Sequence, residues 1–445
     1  MWLLAVATLL VLAALFVVTN AAVRDARTGL QVIGHGSGPQ AAATADLYFA
    51  LSDMDAQVAD VLLIGREQTL GIGRQQALTR YGQDRARADS AALQAAELVG
   101  TDPADRRTVQ GVLDALGEYE RLAEQAMLLD DQAGHAAGPA PANVLAVYRQ
   151  ATDLMKTELL PKAYNLTLDA GTIVRHTYLA ERSAVLAGEA RVVGLGVLLI
   201  GILVGLQVLL AVRFRRLVNL PLVLATVGLA ILVGMSGSLL ATEAAQLDIA
   251  KVDGFDAILT LSRARAIGNA ATADESRYLL DPGRADIYTQ TYLDKSQALF
   301  YVPAGSIGQY DTAIVPVAAN YGKGGVGFLG FFGVEARGAT RHAALATVLN
   351  RYVQVQRDDQ RMRALAATGQ GPAAIAVRTG DSLRDFDQYD AALTSLIGVH
   401  QDTFAAAVRT GDNALNGWDV LLLASVLVAG ALVVAGVAPR LWEYR

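Results

Sequence analysis

Two uncharged apolar runs stand almost back to back near the middle of the chain. Residues 192–212 form the first; Arg213, Phe214, Arg215 and Arg216 follow, and a second run extends over 217–240. A helix needs roughly 20 apolar residues to cross a bilayer. Each run therefore predicts a membrane helix, and the short link between them predicts a tight hairpin. Two more apolar runs, 2–18 and 420–438, lie towards the chain ends. The pattern divides the chain into membrane helices at 1–20, 191–212, 218–241 and 420–438, with helical outer regions at 21–190 and 242–419. Short arginine-rich loops stay inside the cell. Arg213, Arg215 and Arg216 in the link 213–217, and Arg440 in the tail 439–445, thus place link and both termini in the cytoplasm. A multi-pass cell-membrane protein with two large extracytoplasmic regions is expected. No Lys or Arg precedes the first run, which favours a retained helix over a cleaved signal peptide, although Ala21 and Ala22 offer a cleavage site. That run starts abruptly, so an initiation site upstream of Met1 is expected.

The polar–apolar period inside the outer regions is helical, with no long alternating strand pattern. In the first region it predicts helices over about 41–64 and 75–99, a third opening at Pro103 and a fourth near Asn143. Asp102 and Pro103 make a good cap and first helical position. Val109, Val112, Leu113, Leu116 and Tyr119 form the stripe of the third helix, which ends near Gly134. The fourth, with Val144, Val147, Tyr148, Ala151, Leu154 and Met155 on one face, is expected to kink at Pro161 and run on into the membrane. The second region predicts a helix ending at Asp281-Pro282-Gly283, a short helix to Phe300, and a glycine-rich irregular stretch over 303–338. A helix striped by Leu345, Val348, Leu349, Tyr352 and Val355 follows, then a long last helix from Ala373. The fold class is an all-α membrane protein with four membrane helices and two outer helical bundles. Ala43-Thr44-Ala45-Asp46 returns as Ala271-Thr272-Ala273-Asp274, with Leu51 and Asp53 matched by Leu279 and Asp281. This weak repeat suggests a duplicated plan.

Composition sharpens the exclusions. The chain is 53% hydrophobic, lacks cysteine and carries a net charge of −6. Disulfides, thiolate catalysis and sulfur-ligated metals are excluded, and nucleic acid is a poor partner without a basic footprint. The five histidines fall at no metal-ligand spacing and are expected at the surface. Lys323-Gly324-Gly325-Val326-Gly327 starts like a phosphate loop, but Phe328 and Leu329 stand where Lys and Ser or Thr are needed. No metal, cofactor or catalytic constellation is expected, and the chain is read as a non-enzyme. Gln207, Asn219, Ser236 and Ser238 are the main polar residues of the membrane runs, which lack a mid-span charge; this argues against a transporter.

Two clusters could carry function. Asp274, Glu275, Arg277 and Tyr278 form the densest polar group, with Arg263 about three turns earlier and Asp46, Tyr48 and Asp53 at the repeat-equivalent turn. They are candidates for a ligand pocket or interhelix pairs; solvated helix faces are the plainer alternative. Arg277 with Glu275 could hold the two charges of an amino acid. Phe328, Leu329, Phe331 and Phe332, set among glycines, either plug the bundle or form a docking patch. Arg213, Arg215, Arg216 and Arg440 are the candidate cytoplasmic readout.

Residues 45–53 (ADLYFALSD) and 273–281 (ADESRYLLD), set in this four-pass plan, resemble the GlnX-type membrane proteins of actinobacteria. The architecture covers the whole chain; the motifs cover only these short stretches. The resemblance implies a relay, in which a glutamine-binding-type lipoprotein outside and a soluble serine/threonine kinase inside are the partners. The outer bundles are also similar to the four-helix sensor domains of chemoreceptors, but no cytoplasmic signalling helix is present. A non-enzymatic sensory relay embedded in membrane lipid is the first expectation, with a homodimer as a candidate assembly. A direct small-ligand receptor and an envelope scaffold or assembly factor are the alternatives.

Overall fold

The computed structural model describes residues 2–98, 103–214, 219–321, 330–332 and 342–442. Helices account for nearly all of these residues, with no strand among them. Four helical stretches, Leu4–Ile64, Ala142–Val212, Leu220–Leu280 and Gly371–Ala438, are long and apolar enough to cross a bilayer. Only 28–39% of the most apolar window in each is buried by protein. The rest presents side chains such as Leu10, Val197, Ile231 and Leu427 outwards. Water would not tolerate so much continuous apolar surface; lipid does. The chain is an all-α membrane protein.

The chain divides into two compact units. The first comprises Met1–Gly38, Thr172–Gly254 and Asp402–Arg445. It contains α1 (Trp2–Leu30), most of α6 (Leu160–Phe214), α7 (Leu220–Asp248) and α14 (Trp418–Trp442). Small residues let these helices approach closely. A Cβ at Gly196 would lie 2.5 Å from Val233, and one at Gly436 2.7 Å from Leu222. Ser236 and Ser238 donate to carbonyls of their own helix, while two amides are satisfied across elements. Gln207 Nε2 donates to Thr226 Oγ1 at 2.7 Å, and Asn219 Nδ2 donates to the Gly436 carbonyl at 2.9 Å.

The second unit comprises Pro39–Gly171 and Phe255–Gln401. Its helices are α2 (Ser37–Ile64), α3 (Gly73–Leu98), α4 (Pro103–Ala133), α5 (Ala142–Leu154) and the start of α6. From the later half come α8 (Ala257–Leu280), α9 (Ala285–Leu299), α10 (Ile307–Ala319), α11 (His342–Ala367), α12 (Gly371–Val377) and much of α13 (Leu383–Leu415). The expected stripe of α4 is buried at Val109, Val112, Leu116 and Tyr119, while Leu113 stays exposed. The same core takes Val144, Tyr148 and Met155 from α5 and the turn after it, and Leu279, Leu280, Met362 and Ile375 from the later half. Each large side chain so buried contributes about 1.5–3 kcal/mol. Residues read from the pattern as two outer regions thus share one core.

Local differences from the pattern have local causes. The backbone opens into a π-helical turn at Met155–Leu159 just before Pro161. Proline lacks an N–H and crowds the carbonyl four residues back; a wider turn relieves both. Within the stretch expected to be irregular, Ile307–Ala319 is a helix. Ser306 Oγ accepts from the Gln309 N–H at 3.4 Å, and Gln309 Oε1 accepts from the Gly305 N–H at 2.8 Å, a reciprocal cap. Tyr310, Ile314 and Ala318 then recur every four residues on its buried face. The last helix is interrupted before the membrane run at Gly417, where φ is +74° and glycine is the residue that adopts it freely. Wide turns also occur at Gln31–His35, Ile249–Asp256 and Arg378–Ser382.

Candidate functional site: a charged cleft beside a sealed network

Helix α2 buries Asp55 and Asp60, and helix α8 buries Asp274, Glu275 and Arg277. Arg277 is 1% exposed, and each of its guanidinium nitrogens is engaged. Nε donates to Tyr148 Oη at 2.9 Å, one terminal nitrogen donates to Asp274 at 2.7 Å, and the other pairs closely with Asp55. Asp55 also accepts from Tyr119 Oη at 3.1 Å. Asp274 accepts from Thr291 at 2.8 Å and pairs with Lys295 and, at 3.6 Å, with Lys156. Burial would raise the Asp274 carboxyl, but Lys295, Arg277 and Lys156 outweigh it and hold the group well below the usual carboxylate range. A second buried guanidinium, Arg378, lies 2.9 Å from Asp60 and 3.4 Å from Glu275. Ser276 donates to Asp60, and Ser382 donates to Glu275 at 3.1 Å. Burial and the nearby Asp359 push Glu275 up to about 8 against the pull of Arg378.

Beside this buried network, in which Glu275 Oε1 and Arg378 Nη1 make no hydrogen bond, α2, α3, α8 and α13 leave a cleft of about 340 Å³, within the size range of small-molecule sites. Its lining includes the carboxylates Asp53, Asp60, Asp84, Asp387 and Asp390, the guanidiniums Arg80, Arg87 and Arg265, and the apolar Ala56, Leu383 and Phe386. The charges do not balance. Arg265 grips Asp390 through two contacts of 2.5 and 2.6 Å, and its guanidinium stacks 3.7 Å from the centre of the Phe49 ring. Arg80 takes Asp387 at 3.0 and 3.4 Å. Asp60 belongs to Arg378. Asp53 and Asp84, hydrogen-bonded to each other, are left to share Arg87, at 3.4 and 3.0 Å, so that with both ionised one negative charge is in excess. Burial, together with Asp84 and Asp390, raises Asp53 from 3.8 to about 7; Arg87 and the Gln57 amide pull the other way without prevailing. Two buried amides on the lining each keep one atom without a partner. Gln57 Oε1 and Asn269 Nδ2 make no hydrogen bond, in side chains only 7% and 3% exposed.

Residues 29–179 match the family model of the Actinobacterial sensor domain. The likeness supports a sensory protein of actinobacterial type. No curated protein and no solved structure matches the chain. The sensor-domain segment contributes Asp53, Gln57, Asp84 and Arg87 to the cleft, whereas Arg265, Asn269 and Asp390 come from beyond it.

The residues singled out by pattern fall into separate places. Asp274, Glu275 and Arg277 are fully buried and engaged with other residues, so Arg277 and Glu275 are not a free pair for an amino acid. Tyr278 lies 4.6 Å under the Arg363 guanidinium. Asp53 alone of the candidates lines the cleft. Asp46 is exposed although its repeat counterpart Asp274 is buried. Tyr48 is half-buried and packs on Tyr164 at 5.9 Å; Arg263 covers Tyr164 at 4.3 Å and Phe331 at 5.0 Å. Phe332, read as either a bundle plug or part of a docking patch, is 1% exposed and packs edge-on against Tyr352 at 5.7 Å, which removes it from any surface. Phe328, Leu329, Arg215 and Arg216 lie outside the described residues, as do the side chains of Arg213 and Arg440. Two of the histidines expected at the surface are drawn inwards. His400 is buried, and half-buried His135 lies 2.5 Å from Asp130. Pattern reading missed Asp55, Asp60, Asp84, Arg87, Asn269 and Arg378. For Asp55 and Asp60 the signal was an acid within an otherwise apolar stretch of α2, among Met54, Val58 and Leu62.

Proposed function

We propose that the chain is a non-enzymatic transmembrane sensory relay. The sensor-domain match over 29–179 carries this reading. The chain passes between its two units after residues 38, 171, 254 and 401, and each passage falls inside helical backbone. A helix transmits a shift along its axis more faithfully than a loop, and shifts of 1–2 Å are an established switching mode. In this reading the second unit is extracytoplasmic, and both termini and the 213–217 link are cytoplasmic. The signal is an amino acid presented by a solute-binding lipoprotein. The readout is a separate serine/threonine kinase that recognises the arginines at 213, 215, 216 and 440. Crosslinking in native membranes, with and without added amino acids, tests the relay. Recovery of an outer solute-binding protein together with a cytoplasmic kinase is the expected result. Recovery of neither, with other membrane complexes intact, removes the relay.

A second reading, direct reception of a small ligand, is favoured by one observation. The cleft lining holds one carboxyl more than its cations match and one unpartnered atom in each of two buried amides, Gln57 Oε1 and Asn269 Nδ2. Such groups are costly unless something completes them.

A further inference from the structure

The cleft's chemistry goes further than its existence, and deepens the reading of direct reception. One guanidinium, Arg87, serves both Asp53 and Asp84. With both carboxyls ionised, a ligand carrying one positive charge takes the place of the proton they share and balances the site. The unpartnered Gln57 Oε1 is an acceptor on the same helix as Asp53, one turn away, and its amide nitrogen already faces Asp53 at 3.5 Å. An ammonium group, with its several N–H donors, suits two carboxylates and an amide oxygen together. Asn269 Nδ2 offers a neutral donor, which asks for a neutral acceptor on the ligand. A ligand carboxylate, by contrast, would find every lining guanidinium already paired and would stand among carboxylates. Phe386 gives an aliphatic stem something to lie against.

We infer that the cleft binds a small aliphatic compound with one ammonium and one uncharged hydrogen-bond acceptor, such as an amino amide, in preference to a free amino acid. The ammonium sits between Asp53, Asp84 and Gln57; the acceptor faces Asn269. No bond is made or broken.

Isothermal titration of the purified full chain in nanodiscs at neutral pH tests this, with L-alaninamide, L-alanine and acetamide as probes. L-alaninamide should bind, L-alanine at least tenfold more weakly, and acetamide not measurably. Asp53→Asn should weaken L-alaninamide by tenfold or more, as loss of one partner of a desolvated charge pair does. Asn269→Leu should weaken it by a smaller factor. Cooperative thermal unfolding of both variants shows that they are folded. Equal binding of L-alaninamide and L-alanine, unchanged binding by Asp53→Asn, or no binding to the folded chain would each overturn the inference. Because the titration contains no partner protein, a failed pull-down leaves it standing, and a failed titration leaves the relay standing.

Discussion

Asp53 and Asp55 lie two residues apart on α2 and have opposite fates. Asp55 meets the Arg277 guanidinium, the Tyr119 hydroxyl and Thr152, and is sealed. Asp53 meets a share of Arg87, the Gln57 amide, a second carboxyl in Asp84 and the edge of a cleft. Both are acids on one helix of one bundle. The first set of contacts is closed, with a donor for each charge. The second stops one positive charge short. A closed buried network specifies structure, because removing any member strands the others. An open one leaves a role for a ligand. The contrast between the two neighbours, more than the number of charges in the unit, points to where binding belongs.

The contrast can be broken first at its closed side. Arg277→Met leaves Asp55 and Asp274 buried without their guanidinium and should cost about 3–5 kcal/mol, read as loss of cooperative unfolding or a steep drop in Tm. An unchanged Tm would show that the network contributes nothing to the fold. Asp53→Asn should act in the other direction. It removes the surplus charge and should stabilise the unliganded chain by on the order of 1 kcal/mol at pH 8; a fall in Tm would mean that Asp53 is structurally paired after all. The pH dependence sharpens the same point. Asp53 holds its proton more tightly in the folded chain, at about 7 against an ordinary 3.8. Its contribution to stability is therefore complete below about pH 4 and is lost as the pH rises to about 7. The groups facing it are Asp84 and Arg87 from α3 and Asp390 from α13. Over that window the wild-type Tm should decline more steeply than that of Asp53→Asn; parallel curves would count against the assignment. At the small end stands Arg384, with side chain 61% exposed and 3.1 Å from Asp381. Arg384→Ala should shift stability by no more than about 0.5 kcal/mol, and a larger loss would show that surface pairs matter here as buried ones do.

Much of the fold was legible in sequence, and the site was not, for one physical reason. Helix ends are fixed by local chemistry. Pro103 opens α4, Gly65 at a φ of +55° follows α2, and Asp281-Pro282-Gly283 closes α8. Apolar stripes are equally local, since residues three and four apart share a face. Even the capped helix Ile307–Ala319 was readable at Ser306 and Gln309, although the surrounding glycines concealed it. A buried charge is different, because what makes it tolerable is its partner. Asp55 and Arg277 are 222 positions apart, and Asp60 and Arg378 are 318 apart. No periodicity links such positions. The run Asp274–Tyr278 is dense in polar residues, and Asp274, Glu275 and Arg277 turn inwards to pair. The repeat misleads in the same way, since Asp46 and Asp274 occupy matching positions with opposite exposure.

These long separations also set a timetable for the newborn protein. The ribosome needs roughly 10–45 s, at about 5–20 residues per second, to go from Asp55 to Arg277. Throughout that interval the segment 39–171 has two acids, Asp55 and Asp60, whose arginines have not been made. The apolar segments 192–212 and 217–240 are also synthesised before either arrives. The early helices therefore wait with these acids hydrated and their core unsealed, accessible to chaperones and proteases. A fragment containing only the sensor-domain match, 29–179, stays permanently at that stage, because the guanidiniums that close its interior are encoded downstream.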